Sequence, residues 1–396
     1  MMFKKLTFCS ASFLILFSLN GYSQIRTSQL NGQMNVISSA VPFLTIGTDS
    51  RAGAMGDVGA ATSPDINSMH WNPSKYAFVE NQAGVSVSYT PWLRNLVGDV
   101  GLATIAGYYR VDRQQVIAAS LVYFSLGEIE FRDGAGASLK QGKPNEFSVD
   151  VAYSRIFGDH ISGGIAFRYI RSDLASGTYV NSVETKAGQA FAADISAYYN
   201  NKIKISDKNA KMAFGIDISN IGNKMSYTEE LKNKNFLPIN LRLGGALTVD
   251  FDSYNTMTFA ADVNKLLVPT PPIILKDIHN NDSIVGKDSD VPVVTGMFQS
   301  FTDAPGGFKE EIQEINYSLG LEYWYRKQFA LRAGYFHEAQ NKGNRKYYTV
   351  GCGLKLNVFG LDFSYLVPTA ANSPLANTLR FTLTFDFDAF RKLKDK

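Results

Sequence analysis

The feature that most constrains the fold is a strict alternation of apolar and polar residues that recurs along the chain. The clearest example runs from Thr378 to Phe387. Successive side chains leave a strand on opposite faces, so this segment has one apolar face, with Leu383, and one polar face, with Thr382. A half-buried strand of a soluble protein shows this pattern once or twice. Its recurrence along most of the chain predicts a transmembrane β-barrel, whose lipid face is built from alternate residues.

Composition agrees with this interpretation. Charged residues make up 19% of the chain, against a usual value of about 25%, and aromatic residues reach 13%. No segment after Leu19 is long and apolar enough for a transmembrane helix. The net charge of +3 is small and gives no reason to expect a nucleic-acid partner.

The N-terminus predicts export. Lys4 and Lys5 precede an apolar run from Leu6 to Leu19, and Gly21-Tyr22-Ser23 places small side chains where a signal peptidase needs them. We therefore predict a signal peptide over 1–23, cleaved before Gln24. The alternative is a single membrane anchor, but the run is shorter than the roughly 18 to 20 apolar residues that a spanning helix needs.

We predict an all-β fold: a transmembrane antiparallel β-barrel of about fourteen strands over 82–390, with long extracellular loops. The predicted strands are 82–90, 99–110, 114–124, 146–157, 161–172, 187–200, 209–219, 239–250, 255–266, 314–325, 328–336, 345–356, 359–366 and 377–387. The piece 126–132 also reads as a short extended segment, so the number of strands could differ by two. Cys352 is the one cysteine after the signal peptide, which excludes an internal disulfide and favours a small buried or lipid-facing role.

The connections between these strands alternate between tight turns and long loops. Such asymmetry is typical of outer-membrane barrels, which have short periplasmic turns and longer extracellular loops. The predicted long loops are 125–145, 173–186, 220–238, 267–313 and 367–376. An even number of strands also leaves both chain ends on the periplasmic side.

Residues 24–81 do not alternate. Short apolar pieces, such as Val41 to Ile46 and Tyr76 to Val79, stand between glycines and prolines and need burial. We predict a compact, partly helical plug that packs at or inside the periplasmic mouth and closes the lumen.

The predicted plug also carries a sequence signature. Arg51-Ala52 is followed by Met55-Gly56 and then by Trp71-Asn72-Pro73. This order resembles the Arg-Ala-x-x-Met-Gly … Trp-Asn-Pro pattern of the PorV/PorQ family, which belongs to the FadL-like barrels. Pro91-Trp92-Leu93, after the first strand, resembles the family too, and the similarity extends over the whole chain.

The resemblance implies a fourteen-stranded FadL-like barrel in the cell outer membrane of Bacteroidetes, serving the type IX secretion system. Such a protein would bind the C-terminal domains of secreted cargo at the translocon and deliver the cargo to the surface attachment complex. The implied partners are a SprA/Sov-like translocon, a PorU-like attachment protease, cargo C-terminal domains and outer-membrane lipid, including lipopolysaccharide.

Two other classes of function stay open. One is a FadL-type transporter of small hydrophobic molecules, although the predicted inner-face residues are small and polar. The other is an outer-leaflet lipid A deacylase, which the family resemblance also suggests. The sequence has no Gly-x-Ser-x-Gly and no His-Glu-x-x-His motif, so we expect no enzyme and assign no catalytic residue or cofactor. His279 and His337 would be the hydrolase candidates, whereas His70 and His160 fit structural or solvated roles.

The segment 267–313 contains several hard oxygen ligands that could gather a calcium ion. They are Asp277, Asn280, Asn281, Asp282, Asp288 and Asp290. Their spacing lacks the order of a dedicated calcium loop, so we favour a solvated acidic loop and assign no metal site.

The same segment is the predicted protein-binding element, because it is the longest connection. Prolines stiffen its first part, and the apolar, β-prone stretch Val291 to Phe298 would invite a partner if it were exposed. The alternative is a loop that folds back over its own barrel. The candidate partner-binding residues are Pro271, Val293, Val294, Met297, Phe298, Phe301 and Trp92.

Overall fold

The alternating segments form a closed antiparallel β-barrel of fourteen strands in the described part of the chain, as the sequence predicts. The computed structural model describes residues 34–93, 97–132, 136–175, 177, 179–180, 183–228, 234–276, 282–370 and 373–388. The predicted signal peptide over 1–23 lies outside the described residues. Among the helices that are described, none is long and apolar enough to cross a membrane.

Each predicted strand is present, with ends that differ by a few residues. The barrel strands are β1 (Ala83–Pro91), β2 (Gly101–Arg110), β3 (Gln115–Ser125), β4 (Asn145–Ile156), β5 (Ile161–Asp173), β6 (Gly188–Ile205), β7 (Lys208–Gly222), β8 (Asn240–Asp250), β9 (Asn255–Leu266), β10 (Ile315–Tyr325), β11 (Phe329–His337), β12 (Lys346–Lys355), β13 (Phe359–Pro368) and β14 (Leu379–Asp386). The barrel closes where β14 pairs with β1, in a register that runs from Gly84 opposite Asp386 to Tyr89 opposite Phe381.

Burial alternates along the strands as the sequence pattern requires. In β3, Ala118 and Ser120 are buried, whereas Ile117 and Leu121 are exposed on the lipid side. The free thiol of Cys352 is exposed on the lipid side as well. Only one residue of an adjacent aromatic pair on a strand can therefore reach the membrane: Tyr109 is exposed, whereas Tyr108 is buried in the lumen.

Short turns and long loops lie at opposite ends of the barrel, which confirms the predicted asymmetry. The short connections are 111–114, 157–160, 206–207, 251–254, 326–328 and 356–358, and the long ones are 92–100, 126–144, 174–187, 223–239, 267–314, 338–345 and 369–378. One predicted connection is wrong. The sequence predicts that β6 ends at residue 200 and that β7 begins at residue 209, whereas the two strands continue to a two-residue turn at Ser206-Asp207. Both residues have positive φ, 44° and 66°, which is the backbone shape of the tight hairpin turns that suit strand twist.

Three long loops contain two-stranded hairpins that lie outside the barrel sheet. Their strands are Ile129–Arg132 with Ser138–Gly142, Tyr179–Val180 with Val183–Glu184, and Ile273–Lys276 with Asp282–Val285. The extended piece predicted over 126–132 is therefore real, but it adds no strand to the barrel.

The described helices are short. They are α1 (Ser50–Gly53), α2 (Ser68–Trp71), α3 (Val293–Gln299) and α4 (Phe308–Gln313), with 3₁₀ turns at Pro42–Thr45, Pro73–Phe78 and Gln340–Lys342. The helix α3 overturns the β-prone interpretation of Val291 to Phe298. Val293 and Met297 stand four residues apart and bury one face of the helix against the barrel rim, which a helix allows and an unpaired strand in a loop does not.

Residues 34–81, called the plug below, lie inside the barrel. The sequence predicts a plug at or inside the periplasmic mouth, and the chain runs on from there through the lumen. Backbone N–H groups of Gly59 and Ala60 donate to Asp262 on β9 at 2.7 and 2.8 Å. Further hydrogen bonds join the plug to strands around the barrel: Asn67 to Ser86, Pro73 to Ser154, Asn72 to Ala197, Gly56 to Thr349 and Ser50 to Thr382. The inner face of the barrel therefore binds both the backbone and the side chains of the plug.

Glycines on the inner face allow this close approach. A Cβ atom on Gly215 would lie 2.0 Å from the carbonyl oxygen of Ala60, and one on Gly334 would lie 2.1 Å from the backbone nitrogen of Gly56. Any larger residue at these two positions would push the plug away from the wall.

Candidate functional site

The outer end of the barrel is dominated by residues 267–314, called the outer loop below. It consists of the hairpin Ile273–Lys276/Asp282–Val285 followed by α3 and α4. The last helix leads directly into β10, so the loop is held by strands at both ends.

The helix α3 has two unlike faces. Val293 and Met297 pack against an apolar cluster that includes Phe236 and Leu267. Gly296 lies so close to this cluster that a Cβ atom there would be 2.7 Å from the Phe236 ring. The opposite face carries Val294 and Phe298, which are 63% and 74% exposed. The structure therefore anchors one face of α3 on the barrel and presents the other.

The docking residues predicted from the sequence fall into two groups, one exposed and one partly buried. Val294, Phe298 and Phe301 are exposed, whereas Val293, Met297, Pro271 and Trp92 are partly buried. The Pro271 carbonyl accepts a hydrogen bond from the Asn35 side chain of the plug at 3.2 Å. Trp92 packs against a different cluster, which contains Val41 and Phe43 of the plug. The alternative interpretation, a loop that folds back over its own barrel, therefore holds for the inner side of the outer loop. The outer side, with Val294 and Phe298, remains exposed.

Sequence reasoning missed a second pair of exposed apolar residues. Phe308 and Ile312 on α4 are 80% and 44% exposed. Their four-residue spacing on a helix is the signal that could have revealed them, because it puts both side chains on one face. The outer loop therefore exposes apolar pairs on two consecutive helices.

A buried charged cluster fixes the outer loop to the barrel. Lys265, at the end of β9, pairs with Glu314 at 2.6 Å and with Glu311 at 3.2 Å. Lys342, in the loop after β11, pairs with Glu310 at 2.5 Å and with Glu314 at 2.9 Å. All five residues are buried, so breaking these ion pairs would leave uncompensated charge in a site with little solvent.

Asp303 borders this cluster and is only 2% exposed. Its Oδ2 accepts the backbone N–H of Thr270 at 3.1 Å, whereas its Oδ1 has no partner among the described residues. Burial raises the pKa of Asp303 to about 6, and the negative charges of Glu311 and Glu314 act in the same direction.

The acidic residues singled out in the sequence lie elsewhere in the loop. Asp288 and Asp290 are exposed, and Asp290 pairs with Lys224 at 2.9 Å. Asp282 lies in the loop hairpin. Asp277, Asn280 and Asn281 lie outside the described residues, as does the hydrolase candidate His279.

The remaining histidines make contacts that fit structural roles. His70 packs edge-on against Trp71 in the plug. His160, in a short turn, contacts the Asn200 carbonyl at 3.1 Å. His337 lies 3.3 Å from the Tyr335 hydroxyl and packs beside Tyr317.

Two cavities lie on either side of the plug. The outer one, of about 270 Å³, is lined by residues such as Ile37, Trp92, Arg242 and Arg345. The periplasmic one, of about 780 Å³, is lined by residues such as Arg51, Lys211 and Thr384. None of the described residues lines both cavities, and the plug lies between them.

Comparison with known proteins gives the family. The sequence model of "Type IX secretion system protein PorV" matches residues 29–273. A search of the curated proteins finds no match.

Solved structures of similar shape include a hydrocarbon channel, a hydrocarbon transporter and a FadL homologue. The monoaromatic hydrocarbon channel CymD is 13% identical, with 86% of this chain and 98% of CymD covered and a TM-score of 0.47. A Pseudomonas aeruginosa FadL homologue is 11% identical, with 86% of this chain and 98% of the homologue covered and a TM-score of 0.45. The P. putida toluene transporter TodX is 10% identical, with 86% of this chain and 97% of TodX covered and a TM-score of 0.46. At these scores the barrel assignment rests on the chain's own strand register. The match over residues 29–273 shows that the chain belongs to the PorV family of type IX secretion proteins, whose closed barrel spans the bacterial outer membrane.

Proposed function

We propose that this barrel is a docking protein of the type IX secretion system. It binds the C-terminal signal domains of secreted cargo at the translocon and delivers the cargo to the surface attachment complex. The observation that carries the proposal is the exposed apolar face of α3, formed by Val294 and Phe298 on a loop that is anchored from below.

Exposed apolar side chains of this size favour a protein partner. Burying one Val or Phe side chain contributes about 1.5 to 3 kcal/mol, and a few such residues commonly dominate an interface. The charged cluster beneath α4 holds the loop in shape before a partner arrives. Less conformational entropy is then lost on binding, which raises affinity.

The plug supports docking over transport of small hydrophobic molecules. Its backbone is hydrogen-bonded to strands around the lumen, and Glu322 and Asp262 of the wall hold it by charge and hydrogen bonds. A transporter would have to break several of these buried interactions in each cycle. A docking protein can keep them intact.

Gene deletion with complementation tests the proposal. We expect the deletion strain to lose cargo from the cell surface, the wild-type gene to restore it, and the double variant Val294→Asp/Phe298→Asp to fail to do so. An Ile129→Asp variant is the matched control, because Ile129 is an exposed apolar residue on another outer loop. If the deletion strain keeps a normal amount of cargo on its surface and takes up less monoaromatic hydrocarbon, the proposed docking function is wrong and a transport function is favoured.

A further inference from the structure

Three buried carboxyl groups converge where the outer loop returns to the barrel. Oxygen atoms of Asp303, Glu311 and Glu314 lie within 4.8 Å of one another. All three side chains are more than nine-tenths buried. They come from the turn before α4, from α4 itself and from the residue after it, so a short stretch of chain brings them together.

The charges at this place do not balance when every group is ionised. Asp303, Glu310, Glu311 and Glu314 supply four negative charges, and Lys265 and Lys342 supply two positive ones. The nearby Arg345 already pairs with Glu338 at 2.7 Å. Two negative charges are left over in a buried site, which is costly unless a cation or protons compensate them.

Asp303 provides an independent sign of a missing partner. Its Oδ1 has no hydrogen-bond donor among the described residues, although the side chain is almost fully buried. Buried carboxylate oxygens in folded proteins nearly always have a partner, so this atom needs an explanation. Neighbouring oxygens are engaged: Glu311 Oε1 accepts the backbone N–H of Ala304 at 2.8 Å, and Glu314 Oε1 accepts the Thr270 hydroxyl at 2.6 Å.

We propose that Asp303, Glu311 and Glu314 bind a divalent cation, with Ca²⁺ preferred. One such ion neutralises the two excess charges and gives Asp303 Oδ1, which has no donor among the described residues, a cation to coordinate. Carboxylate oxygens are hard ligands, and an irregular set of them, shared with ammonium groups, suits the flexible coordination of Ca²⁺ better than the strict octahedron of Mg²⁺. The ion clamps the turn before α4 onto α4 and the start of β10, whether or not the loop docks cargo.

The test uses the full-length mature protein, refolded from inclusion bodies so that no lipopolysaccharide contributes its own calcium sites. After treatment with a chelator, Ca²⁺ binding is measured by equilibrium dialysis, and thermal unfolding is followed with Ca²⁺ or Mg²⁺ added. We expect about one tightly bound Ca²⁺ per chain and a Tm that rises by a few °C, because a ligand that binds only the folded state stabilises it. Mg²⁺ at the same concentration should raise the Tm less.

Two variants locate the ion. Asp303→Asn keeps the shape of the side chain and removes its charge, and should lose the bound Ca²⁺ and the Tm shift. Asp288→Asn is the matched control, since Asp288 is an exposed carboxylate of the same loop, and it should keep both. Should Asp303→Asn fail to fold, Glu311→Gln takes its place. No Ca²⁺ bound to the wild-type protein, or equal binding after Asp303→Asn or Glu311→Gln, would overturn the proposal.

Discussion

Arg51 of the plug and Glu322 of β10 form a two-point ion pair inside the barrel, with Nε–Oε2 and Nη2–Oε1 distances of 2.9 and 2.8 Å. Glu322 also accepts a hydrogen bond from Arg332 Nε at 2.7 Å. One carboxylate of the barrel wall therefore serves two guanidinium groups, one from the plug and one from the neighbouring strand. The plug is held by charge as well as by its backbone hydrogen bonds.

Removing this carboxylate should cost more than removing its plug partner. Glu322→Ala breaks the ion pairs of two buried guanidinium groups at once and leaves each with one other carboxylate, Asp65 for Arg51 and Asp362 for Arg332. We expect the free energy of unfolding to fall by about 3 kcal/mol. Arg51→Met leaves Glu322 paired with Arg332 and should cost clearly less. Urea unfolding of the refolded proteins in lipid vesicles measures both values. Equal losses would mean that Arg332 does not compensate Glu322.

Displacing the plug should open the pore. Gly215→Val puts a side chain where the Ala60 carbonyl lies, so we expect larger and less stable currents in planar-bilayer recordings than the wild-type protein gives. Gly245→Val is the control: a Cβ atom there would lie 3.6 Å from the Phe214 ring and 4.0 Å from the Ala213 carbonyl oxygen, which are ordinary contacts. Steady large conductance from the wild-type protein would show that the plug does not seal the lumen.

A charge on the lipid side of β14 should be costly. Leu383→Arg places it in hydrocarbon and should destabilise the barrel by about 2 to 4 kcal/mol if it lies near the midplane. Thr382 lies on the polar, lumen-facing side of β14, as the sequence predicts. It cannot serve as the comparison, because the plug covers it and its hydroxyl accepts the backbone N–H of Ser50 at 2.9 Å. Thr384 lines the periplasmic cavity, so Thr384→Arg should cost much less. Similar losses in a refolding titration would contradict the register of β14.

The barrel strands could be predicted because their signal is local. A period of two residues is repeated in every strand, and turns such as Arg326-Lys327 interrupt it clearly. The helix α3 could not be predicted in this way. Its apolar residues are also β-prone, and it is helical because Phe236 and Leu267, distant in sequence, provide a surface for one of its faces.

The path of the plug and the charged cluster were hidden for the same reason. Nothing near Gly215 in the sequence shows that Ala60 lies against it. The cluster joins Lys265, Glu314 and Lys342, which lie far apart along the chain and meet only because the barrel brings their loops together. By contrast, the family signature in the plug was visible in the sequence because its residues are close together.

Direct binding of cargo tests the central claim. The full-length barrel in detergent is titrated with a purified C-terminal signal domain of a secreted cargo protein, and its Kd is measured by biolayer interferometry. We expect the wild-type protein to bind and Val294→Asp/Phe298→Asp to bind at least about tenfold more weakly, because two apolar contacts are lost and charge is buried. Ile129→Asp should change the Kd by less than about twofold, since rim or remote surface changes matter little. Heat-modifiable gel migration checks that each variant is folded. Equal affinity of the folded double variant and the wild-type protein, or no binding by the wild-type protein, would contradict docking through α3.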